Sequence, residues 1–272
     1  MCIRDSFESY KALVEWQLEA GVDGLVVLGS TGEAATLDTD EKHALVKATK
    51  ELVQGAVPII VGTTSNCTYQ ALENTQAMAE LGADIALIAT PPYNRPTQKG
   101  LIEHFTVLAE QGGLPIMLYD IPGRTACKLE VETTKILAEL SSIIAIKDAS
   151  GVSGRTKELV SKVGSKIAVF SGEDHMAHEC IELGGKGLVS ASASGFPVEM
   201  AEIVHKGLAG DLAASKEAQE KVQSIIKTMF IETNPSPVKE ALRQKSIIAS
   251  SRVRLPLVGV SDATADLISK LV

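Results

Sequence analysis

The run Ile143-Ile144-Ala145-Ile146-Lys147-Asp148-Ala149-Ser150 decides the fold. Its apolar part is continuous rather than alternating, the mark of a strand covered on both faces, as in a parallel sheet. Lys147 is the exception in that pattern. Burying an ammonium costs several kcal/mol, so a lysine here sends its head to solvent, finds a counter-charge, or is poised to lose its proton. Desolvation lowers an amine's pKa, and the neutral amine is the form that attacks a carbonyl to make a Schiff base. A second run, Pro115-Ile116-Met117-Leu118-Tyr119-Asp120, also ends in a side chain able to move a proton, Tyr119. Two such groups at the exits of neighbouring buried strands favour the reactive reading.

Runs of the same kind recur at 24–29 (GLVVLG), 57–62 (VPIIVG), 85–91 (IALIATP), 115–122 (PIMLYDIP), 143–150, 167–172 (IAVFSG) and 187–194 (GLVSASAS). Helical apolar periodicity lies between them at 40–52, 69–81, 101–110 and 131–140. Strand, helix, strand with short links implies right-handed βαβ units. Small polar and glycine-rich residues follow the strands, in 29–37 (GSTGEAATL), 90–98 (TPPYNRPTQ), 122–128 (PGRTACK) and 171–175 (SGEDH). Active sites of (β/α) barrels are built at that end of the strands. A doubly wound open sheet is the alternative, but no GxGxxG follows any of the runs. The expected fold class is therefore α/β, a TIM (β/α)8 barrel.

Only seven runs are found, and a closed barrel of this type needs eight strands. Residues 1–6 (MCIRDS) are too short and polar to supply the missing one, and a helix over 7–20 follows at once. The expectation is a barrel lacking its first strand: a non-native stub at 1–6, left by an N-terminal truncation, then the barrel at 7–196. Helical patterns at 198–208, 212–230, 237–245 and 262–271 make 197–272 the last barrel helix and a C-terminal helical appendix.

Composition narrows the function. A chain of 272 residues, 45% hydrophobic and only 4% aromatic, builds a large core from Ala, Val, Ile and Leu. A net charge of −8 argues against nucleic acid or an anionic membrane as partner. No apolar stretch approaches a membrane span. Cys2, Cys67, Cys127 and Cys180 lie far apart with no CxxC pair, which with the lack of a signal peptide points to free thiols and a cytoplasmic location. His175 and His178 have helical spacing for a shared metal ion, but no further His/Cys cluster supports one, so neither a metal nor any other cofactor is expected.

Gly29-Ser30-Thr31-Gly32-Glu33, Pro91-Pro92-Tyr93-Asn94, Tyr119-Asp120-Ile121-Pro122-Gly123-Arg124-Thr125 and Ile146-Lys147-Asp148, in this order and spacing, resemble the dihydrodipicolinate synthase family of class I, pyruvate-dependent aldolases. The resemblance runs from about Phe7 to Val272. It implies a lyase joining pyruvate to L-aspartate 4-semialdehyde in lysine and diaminopimelate biosynthesis, working as a homotetramer. By it, Lys147 forms the imine and Tyr119 carries protons. Thr31 and Tyr93 match the hydroxyl relay that links this tyrosine to solvent, with Tyr93 donated across a subunit interface. Ser30 matches a hydroxyl that binds the pyruvate carboxylate, Arg124 the cation that grips the carboxylate of the semialdehyde, and Gly172 and Val189 positions that close on pyruvate. The resemblance also implies weak feedback by lysine, because Gln70 and Pro92 stand where lysine-responsive members have a glutamate and an aromatic.

Each residue has a plainer reading: a tight turn for Ser30 and Thr31, a packed loop aromatic for Tyr93, a core tyrosine for Tyr119, a surface arginine for Arg124, barrel packing for Gly172 and Val189. The neighbouring activities are N-acetylneuraminate lyase and 2-keto-3-deoxy-sugar-acid aldolase, which share the lysine, the tyrosine and the GSTGE loop. Arg124 favours the semialdehyde over a sugar. An inactive, truncated paralogue is a further alternative, and a metal-dependent hydrolase on the same barrel is disfavoured by the scattered histidines.

Overall fold

The computed structural model describes residues 7–272. They group into two compact units, 7–58 with Ser190–Val272, and Ile59–Val189. The expected stub and missing first strand fall on residues 1–6, outside the described residues.

The first unit opens with helix α1 (Phe7–Glu19), strand β1 (Leu25–Val27) and helix α2 (Thr39–Val53). Helix α2 starts where a capping box forms. Asp38 accepts the Glu41 N–H at 2.8 Å, and Glu41 accepts the Asp38 N–H at 3.1 Å.

The second unit is a parallel sheet alternating with helices: β2 (Ile59–Gly62), α3 (Thr68–Glu80), β3 (Ile85–Ala89), α4 (Gln98–Gln111), β4 (Ile116–Asp120), α5 (Pro122–Thr125), α6 (Val131–Leu137), β5 (Ile143–Asp148), α7 (Arg155–Val163), β6 (Ala168–Ser171), α8 (Ala177–Glu182) and β7 (Gly187–Leu188). Its strands pair in chain order with no reversal, so this unit has no doubly wound switch point. Both faces are apolar, which is why the strands read as unbroken runs. Ile60, Leu87, Met117 and Ala145 pack together on one face, with Tyr119 and Phe170 against them. The alternate residues Ile88, Ile116, Leu118 and Ile146 are fully buried on the other face.

The chain then returns to the first unit with α9 (Pro197–Leu208), α10 (Leu212–Lys221), α11 (Gln223–Met229), α12 (Ser236–Gln244) and α13 (Asp262–Ile268). Their core joins Phe196, Met229, Val238, Leu242 and Ile268, with Leu13 and Trp16 of α1 packed against it. No helix among the described residues is long and apolar enough to cross a membrane.

Two elements differ from their sequence readings. The run at 187–194 pairs only over Gly187–Leu188, and Ser192–Ser194 form a 3-10 turn. Its Ser and Ala residues offer little branched surface to a sheet, and the Ser190 hydroxyl accepts the Ala193 N–H at 2.9 Å, a local bond that competes with the ladder. The helix expected over 212–230 is broken at Val222 (φ −94°, ψ 5°), whose β-branched side chain is turned into the core.

Candidate active site

Parallel register sets Tyr119 of β4 beside Lys147 of β5, and Lys147 beside Phe170 of β6. Strand alternation aims all three at the sheet face that carries Met117 and Ala145. The Lys147 ammonium lies 4.3 Å from the centre of the Tyr119 ring. Burial lowers the Lys147 pKa to about 8, with Asp174 and Glu173 opposing the shift and Arg124 adding to it. Burial pushes the Tyr119 hydroxyl up to about 12, so it keeps its proton at neutral pH and is available as a donor. The site therefore pairs an amine inclined to lose its proton with a phenol inclined to hold one.

Gly172 follows β6 where the lysine stem passes. A Cβ there would come within 2.8 Å of Lys147 Cε and 2.7 Å of Ala149 Cβ, so only glycine leaves the amine its path. Val189, just past β7, packs on the apolar cluster that also holds Tyr119.

Arg124 sits on the single helical turn α5, which starts with proline at its first position. Thr125 anchors this turn. Its hydroxyl is 2.9 Å from that of Thr90, and both are 2.9 Å from the Cys127 carbonyl. The Arg124 guanidinium is exposed, and its charge lowers the pKa of both Tyr119 and Lys147. Tyr93 stands on the loop after β3 with φ 71° and is 88% exposed. Beside it, the Asn94 side chain donates to the Asn66 carbonyl at 2.6 Å.

Ser30 and Thr31 belong to the first unit, in the turn after β1. The Gly32 N–H donates to the Gly29 carbonyl and the Glu33 N–H to the Ser30 carbonyl, each at 3.1 Å. Ser30 is exposed, and the Thr31 hydroxyl accepts a hydrogen bond from the Asn234 side chain at 2.9 Å.

Each unit also holds buried ionic groups to which the sequence reading gave no role. Glu33, held at φ 56°, is buried and paired with Lys239 of α12 at 2.8 Å, and it also accepts the Arg254 N–H at 2.9 Å. Burial raises the Glu33 pKa, but those partners outweigh it and leave the group below its ordinary value. In the second unit, buried Arg155 spans Asp120, at 2.8 Å, and Asp148, at 3.2 Å. An Asp directly after Tyr119 and after Lys147 was visible in the chain, whereas Arg155 carried no local signal. His175 lies 3.8 Å from Glu173, and no group of three or more His, Cys, Asp or Glu is gathered for a metal among the described residues.

The family model for the dihydrodipicolinate synthetase family matches residues 5–272. A 4-hydroxy-tetrahydrodipicolinate synthase of Halorhodospira halophila is 39% identical over 263 residues, 96% of this chain and 87% of the relative. The crystal structure of dihydrodipicolinate synthase from Thermotoga maritima superposes with a TM-score of 0.96 at 37% identity, over 98% of this chain and 91% of that one. A dihydrodipicolinate synthase of Acinetobacter baumannii, solved in complex with pyruvate, superposes with a TM-score of 0.94 at 39% identity, over 96% of this chain and 90% of that one. With that model matching residues 5–272 and relatives near 40% identity along almost the whole chain, the chain belongs to the dihydrodipicolinate synthetase family.

Proposed function

We propose that this protein is a Schiff-base lyase that condenses pyruvate with L-aspartate 4-semialdehyde to 4-hydroxy-tetrahydrodipicolinate, in lysine and diaminopimelate biosynthesis. The observation that carries the proposal is the Lys147 amine, lowered to about 8, lying 4.3 Å from the ring of a protonated Tyr119. The family membership and the names of the relatives support the choice of substrates.

In this reading the neutral Lys147 amine attacks C2 of pyruvate, and loss of water leaves an iminium. The iminium draws electrons from the methyl carbon, which gives up a proton and becomes the nucleophilic end of an enamine. That carbon attacks the aldehyde, and the substrate's own amino group then closes on C2 and expels Lys147. Tyr119 donates and recovers protons at the imine steps. Ser30 and Thr31 are assigned, by the family resemblance, to the pyruvate carboxylate, and Thr31 with Tyr93 to the relay that exchanges protons with solvent. Arg124 takes the semialdehyde carboxylate, because a guanidinium grips a carboxylate through two parallel hydrogen bonds. Gly172 and Val189 close on pyruvate.

The working form is a cytoplasmic homotetramer, a dimer of dimers, in which a partner covers the exposed Tyr93. The architecture assumed is the (β/α)8 barrel with a helical C-terminal region. Incubation with pyruvate and borohydride tests the chemistry: a stable adduct on Lys147, absent in Lys147→Arg, is the expected result. An adduct on another lysine, or none on folded protein, refutes it. Turnover of a sugar acid in place of the semialdehyde would move the protein to a neighbouring aldolase activity.

A further inference from the structure

Asp120 and Asp148 end β4 and β5, each directly after a reactive residue, and they are register partners just as Tyr119 and Lys147 are. Strand alternation turns the two carboxylates to the face opposite the reactive pair. There the first residue of α7, Arg155, meets both. Its Nη2 donates to Asp120 at 2.8 Å and its Nε to Asp148 at 3.2 Å, with side-chain exposures of 3%, 0% and 7% for Arg155, Asp120 and Asp148. The same Nη2 donates to the Leu129 carbonyl. Each carboxylate also accepts a local backbone N–H, Asp120 that of Leu129 at 3.0 Å and Asp148 that of Ser150 at 3.2 Å.

We propose that Arg155 is a positioning residue for the imine chemistry, fixing the spacing of Tyr119 and Lys147 by tying together the two strand ends beneath them. This rests on the Schiff-base reading above. A buried ion triad is a poor source of stability, because apolar residues of similar volume serve as well or better once desolvation is counted. What it supplies here is geometry. The strands end at these two aspartates, and without the guanidinium two neighbouring carboxylates would repel and splay the ends. A guanidinium holds both through separate N–H groups in one rigid plane, whereas the ammonium of lysine is a point charge on a flexible stem. A displacement on the order of 1 Å between reacting groups can cost about a hundredfold in rate.

The test compares wild type with Arg155→Lys, which keeps the charge but loses the fork. A second variant, Arg155→Met with Asp120→Asn and Asp148→Asn, removes all three charges and leaves no unpaired ion if the first fails to fold. Glu173, Asp174, Arg124 and Tyr119, the groups facing Lys147, stay unaltered in both. The readouts, per folded molecule, are the pre-steady-state rate of pyruvate imine formation trapped by borohydride and the pH midpoint of that rate. The expected result is a rate lowered roughly tenfold or more in either variant. The midpoint should also rise from about 8 toward the ordinary 10.5 as water reaches the amine. A folded variant that only melts earlier, with rate and midpoint unchanged, overturns the proposal while the Schiff-base reading stands. No adduct in wild type overturns both.

Discussion

At the scale of single residues, the burial of Lys147 converts directly into a pH profile. An amine with its pKa lowered to about 8 is mainly protonated below that pH and neutral above it. Borohydride-trappable imine should therefore form about tenfold faster per pH unit up to that point and level off beyond it. A midpoint near 10.5 would mean a fully solvated amine. Gly172→Ala puts a methyl within 2.8 Å of the lysine stem. Overpacking of this kind costs about 1–3 kcal/mol of stability, and turnover should fall further than stability because the amine itself is displaced. Steady-state kinetics and a thermal melt on the same preparation separate the two effects. Arg124→Ala should lower kcat/KM for aspartate semialdehyde by roughly 30-fold or more, the cost of leaving a carboxylate without its charged partner. Pyruvate trapping at Lys147 should change little. Equal loss of both steps would assign Arg124 a structural role.

Between elements, His104 of α4 joins α3 through its Nδ1, 2.9 Å from the Thr68 hydroxyl. It is 5% exposed, its Nε2 has no hydrogen-bond partner among the described residues, and burial lowers its pKa from 6.5 to about 4. A depressed folded-state pKa means that the folded chain binds fewer protons than the unfolded chain between those two values. The associated stability is present above pH 6.5 and is lost as pH falls through about 4. Urea unfolding at pH 7 and pH 4 should differ by at most about 3 kcal/mol from this source. His104→Gln should narrow that difference, and an unchanged difference would show that the ring is solvated in the native state.

Over the whole chain, the dihydrodipicolinate synthetase match at 5–272 raises the question of feedback. Gln70, which the resemblance matches to the glutamate of lysine-responsive members, donates its side-chain amide to Glu73 and Asn74, each at 3.2 Å. A neutral amide cannot neutralise the ammonium of a bound lysine, and Pro92 offers no aromatic face to it. Millimolar lysine should leave turnover nearly unchanged, and Gln70→Glu with Pro92→Tyr should increase sensitivity. Strong inhibition of the unaltered protein would contradict this.

Much of this was legible in the chain itself. Short unbroken apolar runs bounded by turn residues read as strands buried on both faces, so β2 to β6 and helices α3, α4 and α6 follow from the pattern, whereas α5 and α7 gave no clear one. Lys147 and Tyr119 stood out because a polar head at the end of such a run has to be accounted for. Tertiary structure decided the rest. The shortening of β7 and the break at Val222 came from a local serine bond and from packing. Glu33 and Lys239 lie 206 positions apart in sequence, and Asp120 and Arg155 lie 35 apart. Pairs so distant leave no periodic trace, because which charges meet is set by where the folded strands end.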